Sequence, residues 1–266
     1  MMHSPDSDKD FPWWLVIVAA LGLFAFWQVL ADEQYRQVLT TLKRGVWITL
    51  FVTLVSYGLA AATGLGLALA ALSRSRVLRQ AARVYVEIIR GIPILVLLLY
   101  VAFVLAPALV AAYNWVAESI GAGTIRTRDF SLLWRAILAL SIGYSAFLAE
   151  VFRAGLQSID KGQIEAAEAL GLNRRQRFRL IVFPQAIRVI LPPLGNDFVA
   201  MVKDSSLVSV VGVLDITQLG KVTAAGNFRY FETYNVVALI YLTMTITLSL
   251  GLRRLEKSLR RGHERT

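Results

Sequence analysis

The chain is 266 residues long, 56% hydrophobic and only 17% charged, with no cysteine and a formal net charge of +10. That balance belongs to a polytopic membrane protein and excludes a soluble domain. The missing cysteines exclude disulfides and thiolate metal sites. The two histidines, His3 and His263, sit near the termini, which argues against histidine chemistry inside a membrane. The basic residues flank apolar segments, as expected of cytoplasmic loops. A nucleic-acid partner would instead call for one concentrated basic face.

Taken in chain order, six segments approach the ~20 apolar residues a membrane helix needs. Trp13–Ala31 comes first, with Trp13, Trp14 and Trp27 as interfacial anchors. The residues before it are acidic overall, and its apolar run exceeds the ~7–15 residues of a signal-peptide core, so it reads as a retained helix. Val46–Leu72 follows, with small residues four apart at Ala60 and Gly64 and at Ala62 and Gly66. Such pairs let helix backbones approach closely. Ile92–Ala112 is a third span, kinked at Pro93 or Pro107, and Leu133–Phe152 a fourth. Gln185–Leu214 is a more polar fifth, and Asn235–Leu252 closes the set.

Alternating these six crossings places residues 1–12, 73–91, 153–184 and 253–266 on one side of the membrane, with eighteen Lys and Arg. The opposite pieces, 32–45, 113–132 and 215–234, hold seven. The asymmetry makes the first side, and both termini, cytoplasmic.

The piece between the fourth and fifth spans is unlike its neighbours. Asp160 suits a helix N-cap, with Gln163 in capping-box spacing. Gly171 fits the left-handed position after a short helix, and Asn173 with Gln176 starts another. Pro184 marks the entry to the next span. Asp160–Pro184 is therefore expected to be helix, tight turn, helix. Ala166, Ala167 and Leu170 give the first helix a shallow apolar stripe, and Phe178, Ile181 and Val182 give the second a bulkier one. Glu165 and Glu168 face Arg174, Arg175, Arg177 and Arg179. The alanines suit docking into a groove of another protein. A solvated loop is the other reading, and the pattern alone does not separate the two.

The fifth span carries charge. Asp197 and Asp204 are seven residues apart, which places them on one helix face about 10 Å apart along the axis. Asn196 and Lys203 repeat that spacing one position earlier. Carboxylates at membrane depth must be paired or line a watery cavity. Either Lys203 and helix-end packing satisfy them, or they face a translocation path. Glu150 and Arg153, three apart, are expected to pair structurally on one helix face.

Glu165-Ala166-Ala167, Gly171, Ile181 and Phe183-Pro184 resemble, in identity and spacing, the EAA loop of bacterial ABC importer permeases; Phe183 departs, where Leu is usual. Arg90-Gly91-Ile92-Pro93, the run from Ala149 to Gly155, the run from Leu191 to Asp197 and the run from Lys203 to Ser209 are similar to the polar amino acid branch. This resemblance covers about residues 43–257. It implies an all-α fold, with a five-helix permease core over 43–258, an added amino-terminal helix within 1–42 and a basic tail at 259–266. It implies that Glu165, Ala166, Ala167, Gly171, Ile181 and Pro184 couple to a separate ABC ATPase subunit. It implies that Asn196, Asp197, Lys203, Asp204 and Ser205 meet the substrate, an amino acid such as histidine, glutamine, glutamate or arginine.

The further partners implied are a second permease chain, identical or homologous, an external substrate-binding protein, and the lipid of a bacterial inner membrane. No G-x-x-x-x-G-K-[ST] loop is present, so ATP and magnesium belong to the partner ATPase and this chain is no enzyme. Leu97 stands where the branch commonly has a path-facing Gln, and Ile92 replaces a Thr. Methionine, an opine or another solute as cargo, or an ion-coupled secondary transporter, are the alternatives.

Overall fold

The computed structural model describes residues 13–261; residues 1–12 and 262–266, including His3, Lys9 and His263, lie outside the described residues. The described residues form helices and connecting turns, with no strand among them. Nine helices organise them: α1 (Trp13–Ala31), α2 (Glu33–Ala71), α3 (Arg76–Gly91), α4 (Ile94–Ser119), α5 (Leu132–Gln157), α6 (Lys161–Ala169), α7 (Arg174–Val211), α8 (Ile216–Asn227) and α9 (Tyr230–Arg261). Five of these, α2, α4, α5, α7 and α9, contain stretches long and apolar enough to cross a membrane. The expected sixth, Trp13–Ala31, forms a helix of 19 residues but is not one of those five. Its Val29 is buried with Tyr35, Val38, Leu42, Ile216 and Val236, so α1 packs onto the bundle.

Three expected loops hold helical segments. Residues 32–45 belong to α2, which starts at Glu33 because the Asp32 carboxylate accepts from Gln34 N at 2.7 Å. Hydropathy misses this turn of chain because it is amphipathic: Tyr35, Val38 and Leu42 face inward while their neighbours are exposed. Likewise, the expected loop 73–91 holds α3, capped by Ser75. Pro93 ends it by driving Ile92 to an extended conformation (φ −99°, ψ 128°), and α4 begins directly after. The expected external piece 215–234 contains α8, capped by Asp215, which accepts from Gln218 N at 2.8 Å.

The interior centres on α2 and α5. Val52 of α2 packs with Leu97, Leu98, Val101 and Ala102 of α4, Ala136, Ile137 and Leu140 of α5, and Val208 of α7. Gly64 sets the closeness of α2 to α5: a methyl there would lie 2.9 Å from Ser145 O and 3.0 Å from Ala149 N. The second small pair behaves differently. Ala62 and Gly66 are exposed, and nothing lies within 4 Å of a methyl on Gly66. Only the first pair packs within this chain.

Two of the prolines in the spans, Pro107 and Pro184, are absorbed by π-helical turns. In α4 the turn is Val101–Leu105, just ahead of Pro107; in α7 it is Phe178–Val182, just ahead of Pro184. So α7 runs unbroken from the second helix of the elbow through Pro184, where a boundary was expected. Widening the turn shifts the ladder by one residue and relieves the clash of the ring with the preceding turn. The cost is an orphaned acceptor. Ala106 N bonds Val101 O, and Pro107 has no N–H for Ala102 O. The Arg135 guanidinium fills that place, donating to Ala102 O at 3.0 Å, to Phe130 O at 2.8 Å and to Thr127 O.

Gly64→Val should lower stability by about 1–3 kcal/mol through overpacking, whereas Gly66→Ala should change little. Thermal unfolding of both purified variants in detergent checks this. Equal losses would contradict the assignment of one pair to the interior.

Candidate functional site

The elbow is built as the local rules dictate. Asp160 caps α6, accepting from Gly162 N at 2.6 Å. Its expected box with Gln163 does not form, because the Gln163 amide oxygen instead accepts from Gln185 Nε2 at 2.6 Å and ties α6 to α7. Gly171 is left-handed (φ 75°); its N bonds Glu168 O at 2.9 Å and Leu172 N bonds Ala167 O at 3.1 Å. That pair of bonds closes the helix end as a Schellman turn. Asn173 and Gln176 complete a reciprocal capping box at the start of α7. A Glu168–Arg177 ion pair clamps the two helices together.

The six coupling candidates occupy this elbow in different ways. Glu165, Ala166 and Gly171 are exposed, Ile181 and Pro184 are half-buried, and Ala167 is buried. Leu170 is 80% exposed beside Glu165 and Ala166, and Phe178 and Phe183 are also exposed. The elbow therefore presents a surface of alanine, glycine and large apolar side chains toward the outside of this chain. Its inner side is anchored by Ile159 and Ile164 against Val151, Phe152, Ala186 and Ile190. Anchored inside and apolar outside, it has the shape of a lever arm with an open contact face.

Among the acidic-span candidates the two carboxylates differ. Asp204 is half-buried, and one of its oxygens accepts from the Tyr144 hydroxyl at 2.8 Å. Tyr144 itself is only 3% exposed, so this hydroxyl is committed. Asp197 is half-buried yet has no hydrogen bond or ion pair among the described residues. Lys203 is exposed and pairs with neither carboxylate among the described residues. Asn196 is exposed, while Ser205 is buried with its hydroxyl donating to Val202 O at 2.7 Å. Sequence reasoning missed Tyr144, and also Tyr57, whose hydroxyl donates to Leu194 O at 2.7 Å while its ring meets Phe198 edge-on at 5.1 Å. The available signal was a tyrosine inside an apolar span, where its polar tip must find a partner.

Glu150 and Arg153 pair as expected. Arg153 Nη2 lies 2.6 Å from Glu150 Oε2, and Arg153 Nη1 donates to Gln157 at 2.7 Å. Among the described residues no group of His, Cys, Asp and Glu is arranged to hold a metal ion.

Five helices of membrane-crossing length, joined by an elbow anchored on its inner side and open on its outer side, define a polytopic membrane protein. Residues 62–261 match the family described as binding-protein-dependent transport system inner membrane component, and the chain belongs to that family. It is 37% identical over 210 residues to the probable amino-acid permease protein YxeN of Bacillus subtilis, covering 79% of this chain and 87% of that one. It is also 37% identical over 222 residues to the glutamine transport system permease protein GlnP of Escherichia coli, covering 82% and 93%. The crystal structure of an amino acid ABC transporter with histidines superposes with a TM-score of 0.70 at 34% identity, covering 86% of this chain and 97% of that one.

Gly171→Val should cost about 1–2 kcal/mol at the elbow, because a β-branched residue resists the left-handed conformation. Limited proteolysis should then cut between residues 160 and 177 faster, while the melting temperature of the bundle stays put. An unchanged cleavage pattern would overturn the assigned turn.

Proposed function

We propose that this chain is the membrane permease of an ATP-driven importer of polar amino acids. The observation that carries the reading is the elbow: Glu165, Ala166 and Gly171 lie on its exposed face, with Ala167 buried beneath them and Ile181 and Pro184 half-buried where the elbow meets the span. Its second helix then continues as the span bearing Asp197 and Asp204. In this reading a separate ATPase, loaded with ATP and magnesium, docks on Glu165, Ala166, Gly171 and the exposed apolar residues beside them. Ala167 holds the elbow from beneath, and Ile181 and Pro184 join it to the span. Two permease chains, identical or homologous, enclose the path, and an external binding protein delivers the cargo. The protein resides in a bacterial inner membrane, with the elbow and both termini cytoplasmic.

The chain's own chemistry in this role is binding and orientation. Asp197, half-buried and unpaired, is the carboxylate free to meet an ammonium or a cationic side chain. Asp204 contributes its remaining oxygen in an orientation fixed by Tyr144. Lys203 and Asn196, exposed on the same span, offer donors to the cargo's carboxylate. Ser205 stabilises the end of the regular helix on which they stand.

The test is uptake of radiolabelled amino acids into proteoliposomes holding the complete complex. Uptake should require ATP and survive an uncoupler; collapse with the proton gradient would replace this reading with an ion-coupled transporter. Glu165→Lys should detach or uncouple the ATPase without loss of membrane insertion. Asp197→Asn removes one charge-assisted hydrogen bond of about 1.5–3 kcal/mol, so uptake of histidine or arginine should fall roughly 10- to 100-fold in apparent affinity. Glutamine uptake should fall less, and equal losses for all three would count against a charge-reading site.

A further inference from the structure

We propose that the chain carries a second amino-acid site, on the elbow side of the bundle, in a cavity between α2, α3 and α5. The cavity is about 370 Å³ and is lined by Leu67, Ala68 and Ala71 of α2, Ala82, Arg83, Val86 and Glu87 of α3, and Ala149, Glu150, Arg153 and Gln157 of α5. Its floor is small and apolar, and its walls carry charge of both signs. On the α5 wall the charges are already spent: Glu150 and Arg153 neutralise each other, and Arg153 also bonds Gln157.

On the α3 wall they are not. Among the described residues, Arg83 and Glu87 form no ion pair and no hydrogen bond, with each other or with any neighbour. They stand one helical turn apart on the same wall, about 6 Å along the axis. An α-amino acid holds its ammonium and carboxylate on one carbon. With one hydrogen bond of about 2.8 Å at each end it spans about 8 Å, within reach of two long side chains whose backbone positions are about 6 Å apart along the axis. Arg83 would take the carboxylate and Glu87 the ammonium, leaving the side chain over the alanines. A purely anionic or cationic ligand would leave one of the two uncompensated.

The position gives the site a consequence. α5 leads from Gln157 through Ile159 directly into the elbow, so a ligand held on α3 with its side chain packed on Ala149 of α5 restrains the element that moves the elbow. A zwitterion accumulated on that side would hold the bundle in one state and slow import. The ligand rests on the amino-acid reading above; the cavity does not.

The experiment uses the full-length chain in nanodiscs and equilibrium dialysis against labelled L-glutamine, L-glutamate and L-histidine. The Asp197→Asn, Asp204→Asn double variant should still bind one of them, and adding Arg83→Ala or Glu87→Gln should weaken that remaining binding at least tenfold. Arg83→Lys should restore part of it, and an analogue without its α-amino group should bind at least tenfold more weakly to the wild-type cavity. Remaining binding that is indifferent to both α3 variants overturns the second site. Loss of all binding in the double variant alone does so too, while upholding the central one. Binding of none of the three probes to the wild type overturns the second site, and the uptake assay then decides the transport reading separately.

Discussion

The bundle depends on one constraint: hydrocarbon offers no hydrogen bonds, so every backbone group of a span must be met within the protein. This chain places prolines inside two spans and so breaks the simplest solution. The breaks at Pro107 and Pro184 are each repaired by a π-turn of five residues, at Val101–Leu105 and Phe178–Val182. In α4 the repair strands one carbonyl, and a buried arginine from α5 supplies the missing donor. Other side chains brace backbone carbonyls across the same interfaces. Ser56 donates to Ile137 O, Ser141 to Ser56 O, Tyr85 to Ile142 O and Tyr57 to Leu194 O. The polar residues of the spans are thus mostly structural staples, and those left unpaired stand out against them.

That contrast sorts the charges. Arg135 is satisfied by three carbonyls and stacks over Phe130 at 5.9 Å, and Glu150 and Arg153 satisfy each other. Asp204 is half-satisfied by Tyr144. Asp197 has no partner, although desolvating a lone carboxylate is unfavourable. A fold that meets nearly all its other buried polar groups tolerates such an exception where a ligand completes it. The same reasoning applies more weakly to Arg83 and Glu87, which are exposed and therefore cheaper to leave open.

Much of the elbow was legible because its signals are local. A glycine at the left-handed position and an Asn with a Gln three residues on fix the elbow's backbone without help from distant chain, as does the Glu150–Arg153 pair one turn apart on α5 for its side chains. The five crossing spans were legible because length and apolarity suffice. What escaped were choices made between helices. Gln163 had two possible partners, and tertiary packing gave it Gln185 rather than the N-cap. Residues 32–45 are too polar for a hydropathy window, yet one face of them packs on α8 and α9. Nothing in the sequence near Asp204 announces Tyr144, sixty residues away. Pro184 reads as a helix boundary because the π-turn that absorbs it leaves no mark in composition.

That last misreading bears on how force would travel. With a boundary at Pro184, the elbow and the acidic span would be separate bodies joined by a joint, and motion at one would reach the other only loosely. As a single helix, α7 carries the elbow's second helix and both carboxylates on one rod. From Arg174 to Asp204 it measures roughly 45 Å at the helical rise. Pro192 and Pro193 lie between the two ends and withhold two ladder donors, so bending is cheapest there. The Tyr57 hydroxyl grips Leu194 O just beyond that weak point, and its ring packs on Phe198 next to Asp197. On the proposed function, a push on the elbow would therefore turn α7 about its proline pair, with α2 as the stop. The first group to change its surroundings would be Asp197, the carboxylate that the resting structure leaves without a partner.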